Sequence, residues 1–350
     1  MKKIDAHIHM HTCDMEKAKA FFDFLYEKGV TGVGIQSLST YWHYSDFENI
    51  YSLWIKKLYD KMNVYVFGSI HELEDFGKVP YEDQLKWLLE AGCDGIKFIN
   101  MKPNVRKKFA KGLNHPSYDK LFDIIEEKQI PILIHSKDPS TFWHEELMLP
   151  HQIERGWCYA GKGFETYEDL HRETLELLDK HPKLNAILAH FFFLSDDMAE
   201  AERIMEKYPN VYFDITPGTE MYENFAKDTD SWREFFIKYQ DRIIFGTDAD
   251  DGSYLENADD LYRMIDGVLV NSGDAYEDHC YIDMVVKGLS LPEEVVEKIY
   301  HGNFEKYMGK IAPVNTDALK KAALYAYEVL KDIPQSERDA ELFKSFAENI

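Results

Sequence analysis

Near the start of the chain, Asp5-Ala6-His7-Ile8-His9 sets two imidazoles at alternate positions. Alternate residues of a strand share a face, and two imidazoles at that spacing can grip one metal ion. A buried structural pair is the other reading of the same spacing. Asp5 reads either as an acid supporting such a site or as one that anchors its strand. Three more ligand-type residues close apolar runs: His135 ends Pro131-Ile132-Leu133-Ile134-His135, His190 ends Ala186-Ile187-Leu188-Ala189-His190, and Asp248 ends Ile244-Phe245-Gly246-Thr247-Asp248. A single histidine ending an apolar strand is commonly a hydrogen-bonded core residue. Three such endings beside a His-x-His pair point instead to one shared centre.

Residues so far apart in sequence meet readily in a parallel barrel, whose strand C-termini converge on one face. The chain has the alternation this requires, with short β-rich runs separated by longer amphipathic ones. Eight strands are predicted, at 3–9, 32–39, 64–71, 95–100, 130–136, 185–191, 211–216 and 243–248. Helical patterns fall at 15–28, 81–91, 118–128, 167–180 and 197–207, and after the eighth strand at 257–270, around 276–288 and at 292–308. The last of these has a marked start, Ser290-Leu291-Pro292-Glu293, with a capping serine, a first-turn proline and a glutamate that can reach back to the cap. The expected fold class is therefore α/β, a (β/α)8 TIM barrel over residues 1–312. Residues 313–350 form a C-terminal helical extension of two helices, 317–331 and 337–349, parted by Pro334. Leu319, Ala322, Ala323, Ala326, Val329 and Leu330 make an apolar stripe on the first, suited to packing outside the barrel or against a second subunit of a homodimer.

Composition narrows the function. In 350 residues, 45% hydrophobic and 14% aromatic, there is ample material for a core. The formal charge of −23, from 63 acids against 40 bases, opposes binding to nucleic acid or anionic lipid. The longest basic run, Lys102-Pro103-Asn104-Val105-Arg106-Lys107-Lys108, reads as a solvated surface segment. Cys13, Cys93, Cys158 and Cys280 lack the close spacing of a zinc ribbon or redox pair. With an acid and a histidine where a signal peptide needs apolar residues, and no run near the roughly 20 apolar residues of a spanning helix, a soluble cytoplasmic protein with a small-molecule substrate is expected.

The His7-Ile8-His9 pair, His135, His190, Gly246-Thr247-Asp248 and the closing Ser290-Leu291-Pro292-Glu293-Glu294 with Gly302-Asn303-Phe304 resemble the amidohydrolase superfamily. Within it they resemble the amidohydrolase-2 branch, which includes aminocarboxymuconate-semialdehyde decarboxylase-like enzymes. The resemblance spans about residues 1–310. It implies one divalent metal, zinc before manganese, with His7, His9, His135 and Asp248 as ligands and His190 as a catalytic group. In that arrangement the metal activates water, Asp248 accepts its proton, and His190 orients the water or polarises the substrate. Ligation needs neutral imidazoles, so activity should fall in acid.

Lys97, in Gly95-Ile96-Lys97-Phe98, has three readings: a carboxylated bridge between two metals as in related binuclear barrels, a contact to a substrate anion, or a structural ion pair. His11-Thr12 also resembles the PHP phosphoesterases, but the Thr-Asp-His run they carry next is missing. Lys97 stands where TatD nucleases carry glutamate. Residues 137–165, with Phe142, Trp143, His144, Arg155, Trp157 and Tyr159, suit a lid or binding wall in which Trp143 and Arg155 contact a small anionic or cyclic substrate. An aromatic loop packed on its own barrel is the plainer reading. Residues 216–220 are a further candidate lining. The expected activity is hydrolysis of a small carbonyl compound such as a lactone or amide. Its alternatives are non-oxidative decarboxylation of a small carboxylic acid on the same scaffold and a binding barrel without catalysis.

Overall fold

Apolar runs of only a few residues become stable strands when each is paired on both sides, and here they pair in chain order. Strands β1 (Lys3–Ile8), β2 (Val30–Gln36), β3 (Asn63–Ser69), β4 (Gly95–Phe98), β5 (Ile132–Ile134), β6 (Ala186–Leu188), β7 (Val211–Asp214) and β8 (Ile243–Ile244) form one eight-stranded parallel sheet in sequence order. The ring closes between first and last strands, through Ala6 N–H to the Phe245 carbonyl at 3.0 Å, Asp248 N–H to His7 at 2.8 Å and His9 N–H to Ala249 at 2.9 Å. The result is a (β/α)8 TIM barrel carrying two C-terminal helices. The computed structural model describes residues 1–38, 47–72, 79–218, 220–252, 255–278, 284–332 and 337–349. Cys280 and Pro334, named above, lie outside these residues, as do positions 39 and 219 of the segments 32–39 and 216–220 and the side chain of Val329.

Inside the barrel Ile4, Ala6, Tyr65, Phe67, Leu133, Ile187, Tyr212 and Ile244 form a closed core, plugged at the bottom by Phe304, Tyr307 and Met308. The Tyr307 hydroxyl donates to the carbonyls of Ile132 and Asn185, satisfying strand ends that the plug buries. The top is thereby left as the open end.

β1 does not keep a strict alternation. Its register against β2 slips between Asp5 and Ile8, where three steps on β1 meet two on β2. Asp5 falls on the outer side and accepts from Thr247 Oγ1 at 2.6 Å and from the Tyr262 hydroxyl at 2.5 Å, so it anchors β1 to the chain beyond β8. Past the slip, His7 and His9 turn to the barrel mouth. Gly246 permits the close approach beside them, because a Cβ there would stand 2.4 Å from Thr216 Oγ1 and 2.9 Å from His7 Cβ.

Two expectations need correction. Residues 276–288 are not helical: β9 (Ser272–Asp278) and β10 (Met284–Leu289) form an antiparallel pair outside the barrel. Val285-Val286 favours a strand, and Gly273 at φ +78° and Gly288, where a Cβ would stand 2.0 Å from the Asn271 carbonyl, disfavour a helix. Ser290 does not cap the closing helix either. That helix starts at Glu293 with Pro292 at its cap and no side-chain capping bond, while Ser290 sits at φ +49°.

The final helices, Thr316–Leu330 and Glu337–Asn349, pack on each other and outside the barrel against Phe47–Leu58 and Tyr81–Ala91. Leu319, Ala323, Ala326 and Leu330 are buried, as are Phe343 and Phe346, the latter against Trp54. Removing this cover exposes apolar barrel surface. Phe346→Ala is therefore expected to cost about 3–5 kcal/mol in urea denaturation, and truncation after Pro313 to lower the midpoint further. An unchanged midpoint for both proteins would show that the extension does not support the barrel.

Candidate active site

The ligand-type residues stand at the open end; His7 is within β1, while His9, His135, His190 and Asp248 lie one to four residues beyond their strands. β5 stops at Ile134, just before His135, and β6 stops at Leu188, two residues before His190. β8 keeps only Ile243–Ile244, and Asp248 follows in the left-handed region at φ +62°. Backbone released from the ladder is free to aim side chains inward, here at a cost in local strain.

Each of the four imidazoles has one nitrogen tied down and the other turned toward another of the ligand-type residues. His7 Nδ1 pairs with Asp214 Oδ2 at 2.9 Å, and His9 Nδ1 donates to the Gln36 carbonyl at 2.7 Å. His135 Nε2 faces Asp138 Oδ1 at 3.1 Å, and Asp138 is in turn held by the Tyr159 hydroxyl. His190 Nδ1 donates to the Thr216 carbonyl at 3.3 Å. These partners accept hydrogen bonds, so they set the tautomers and leave lone pairs on His7 Nε2, His9 Nε2, His135 Nδ1 and His190 Nε2. The lone pairs converge. His9 Nε2 lies 3.0 Å and His7 Nε2 3.5 Å from Asp248 Oδ1, while His190 Nε2 lies 3.2 Å from His135 Nδ1. One donor atom each from His7, His190 and Asp248 falls within 4.8 Å of the others.

Burial holds the His7 and His135 imidazoles well below the ordinary histidine range and lowers His190 as well, which favours neutral rings. For Asp248 burial acts upward, but the surrounding imidazoles of His9, His7 and His190 act downward and outweigh it, holding the carboxylate well below its ordinary range. Neutral nitrogens and an ionised oxygen facing one another leave room for a cation between them. The donor atoms of His7, His190 and Asp248 therefore fit a metal ion with nitrogen and oxygen ligands.

Lys97 is also drawn in. It is 1% exposed, its Nζ lies 3.1 Å from His7 Nε2, and burial pushes its pKa down to about 7, opposed by Asp248 and Asp214. Its amine shares the nitrogen that faces Asp248, and among the described residues no carboxylate stands within ion-pair distance of it.

Two cavities meet here, sharing Lys102, His135 and Asp248. One, of about 160 Å³, is walled by Phe142, Trp157, Phe193, Pro217 and Met264 beside His190. The other, of about 520 Å³, is more polar and holds His9, His11, Glu48, Lys97 and Asp250. Trp143 and Arg155 line neither. The Trp143 indole packs on Tyr159 and Tyr167 and donates to the Glu165 carbonyl at 2.9 Å, while Arg155 lies exposed over the outer Trp157 ring. Residues 137–165 are not structureless. Turns and a short helix enclose a core of Phe142, Met148, Cys158 and Tyr159, which presents Phe142 and Trp157 to the cavity.

The run 102–108 is only partly a solvated face. It forms the helix Pro103–Phe109, Arg106 is buried against Glu173 at 3.0 Å, and Lys102 reaches both cavities 3.6 Å from Asp138. Asp214, Asp138 and Lys102 are the site residues that motif reading passed over. Asp214 had the same signal as Asp248, an acid ending an apolar strand, and Asp138 follows His135 by three.

His190 opens an unusual turn. It and Phe191, Phe192 and Phe193 have φ of +56°, +55°, +53° and +51°, four consecutive left-handed residues without a glycine. Each such residue costs about 1–2 kcal/mol, so the surrounding packing must hold the turn.

A family model described as amidohydrolase matches residues 58–307. No curated protein matches the chain. Among solved structures, an uncharacterized TIM-barrel protein of Bordetella bronchiseptica is similar at 13% identity, covering 89% of this chain and 100% of its own, with a TM-score of 0.52. A protein solved as amidohydrolase II is similar at 14% identity, covering 88% and 100%, with a TM-score of 0.52. At these identities the likeness is one of fold.

The lowered imidazoles have a measurable consequence. Protons displace a metal only by occupying its ligands, and a ligand pKa below the ordinary 6.5 moves that competition to lower pH. Metal retention at fixed free zinc is expected to stay level from pH 7.5 to about pH 6 and to fall below that. A loss that tracks a pKa of about 6.5 would show that the site histidines titrate as exposed ones do. His7→Ala and Asp248→Ala should each weaken retention at every pH.

Proposed function

The chain belongs to the amidohydrolase family, in its amidohydrolase-2 branch of metal-dependent enzymes, and on that premise we propose that it hydrolyses a small carbonyl compound such as a lactone or an amide. The observation that carries the reading is the gap between His9 Nε2, His7 Nε2 and Asp248 Oδ1, with His190 Nε2 beside it at the mouth of an apolar cavity. One zinc ion held by His7, His9, His135 and Asp248 is the fit we favour. When bound, such an ion supplies Lewis acidity that lowers the pKa of water and polarises a carbonyl.

The chain's own groups do the rest. Asp248 is ionised and can take a proton at Oδ1. His190 donates from Nδ1 to Thr216, so its Nε2 lone pair can orient an attacking water or accept its proton, then return it to the leaving group. Phe142, Trp157 and Phe193 hold an apolar body and exclude bulk water, and Lys102 at the rim offers an ammonium to an anionic substituent. Lys97 lies too deep for a first encounter but can meet a group that passes the centre. The pairing of aromatic walls with that single rim ammonium also suits a small planar carboxylic acid, and on this observation decarboxylation is the second reading.

Zinc-loaded protein should be tested on parallel panels of lactones, amides and aromatic or dienoic carboxylic acids, following carbonyl hydrolysis and carbon dioxide release together. Hydrolysis is expected, reduced at least about 100-fold in His190→Ala with metal content unchanged. Lys102→Ala should raise KM for anionic members and leave neutral ones within about twofold. Carbon dioxide release that needs His190, with no hydrolysis of any compound, would replace the first reading with the second.

A further inference from the structure

Lys137 follows His135 by two residues, and its side chain is fully buried away from both cavities. Its Nζ lies 2.9 Å from His171 Nδ1, 3.8 Å from the centre of the Tyr167 ring and 4.3 Å from that of Phe192. His171 Nε2 faces Glu200 Oε1 at 2.7 Å, which leaves Nδ1 as an acceptor. Burial pulls the amine below the ordinary lysine range, with Asp196, Glu200, Asp197 and Glu168 acting against it. All three immediate neighbours are acceptors, an imidazole lone pair and two ring faces, so the amine meets each as a donor.

Two of these contacts bear on the left-handed turn that begins at His190. Phe192 is its third residue, and its ring covers the amine. The hydroxyl of the same Tyr167 donates to the carbonyl of Phe193 at 2.8 Å. Phe193 in turn stacks on the His190 imidazole, with ring centres 5.1 Å apart and planes at 29°. Phe191 is held separately, among Phe213, Phe225 and Trp232. The next residue along from Lys137, Asp138, orients His135. One buried amine thus ties together the two loops whose histidines face each other at 3.2 Å.

We propose that Lys137 is a positioning residue, which holds the strained turn His190-Phe191-Phe192-Phe193 through the faces of Phe192 and Tyr167 and so aims His190 at the metal centre. The proposal rests on the reading of His190 as the group that handles the proton. A side chain of the same length without donors would fill the space and release the turn.

Crystal structures of zinc-loaded Lys137→Met and Phe192→Leu test this without a substrate. Both are expected to retain one equivalent of zinc, while residues 190–193 leave the left-handed region and the His135–His190 contact opens. On any substrate found, kcat should fall about 10–100-fold with KM within about twofold. The double variant should be no worse than either single one. Phe192→Tyr, which keeps the ring face, should stay near wild type. A folded Lys137→Met with the turn, the contact and kcat unchanged would overturn the proposal. If Lys137→Met does not fold, the Phe192 pair decides: loss in Leu but not Tyr supports it, and equal effects in both overturn it. A relaxed turn in a protein that turns over nothing would leave the positioning intact and remove the functional reading.

Discussion

At the open end of the barrel, His9 Nε2 and Asp248 Oδ1 stand 3.0 Å apart, with the other His9 nitrogen already committed to the Gln36 carbonyl. A lone pair facing a carboxylate is unfavourable, even at a half-buried site, unless something positive lies between them. His7, in the strand that leads to His9, also faces Asp248, and His135 faces His190 from the end of β5, with Asp214 and Asp138 taking up the second nitrogens of His7 and His135. The arrangement of the barrel mouth follows from keeping these groups turned toward one another.

Several features of the fold serve that demand. The register slip in β1 turns His7 and His9 inward while Asp5 ties the strand to Thr247 and Tyr262. Burial raises the Asp5 pKa to about 6, yet four donors, among them the backbone amides of His7 and Thr247, surround it. Gly246 lets the chain pass close to His7, and the left-handed residue Asp248 then brings its carboxylate back over the pair. On the far side, His190 enters on a turn that the backbone alone disfavours, so packing supplies what local conformation opposes. Part of the cavity wall comes from residues 137–165, a segment with its own small core.

Much of this was legible in the sequence, for identifiable reasons. Strand order and number follow from hydrophobic runs at regular spacing, and a barrel is the arrangement that brings His7, His135, His190 and Asp248 together. Their supporting acids were harder to see, because Asp138 and Asp214 gain meaning only when a specific ring nitrogen is beside them. Lys102 was hidden in a run of positive charge, where sequence does not tell which side chain faces inward. Trp143 and Arg155 were chosen by residue type, yet in the same segment Phe142 and Trp157 face the cavity. The β9–β10 pair stands where a helix is expected from the segment's place after the eighth strand, and Val285-Val286 with Gly273 and Gly288 is the strand signal there. The left-handed turn carried no glycine to mark it.

On the proposed reading, one cation resolves the convergence of lone pairs at the barrel mouth. Anomalous diffraction from crystals of the zinc-loaded protein, recorded at the zinc absorption edge, tests it most directly. A single peak about 2.0–2.2 Å from His7 Nε2, His9 Nε2, His135 Nδ1 and a carboxylate oxygen of Asp248 is the predicted result. No peak at this position, or two peaks bridged through a carboxylated Lys97, would contradict it.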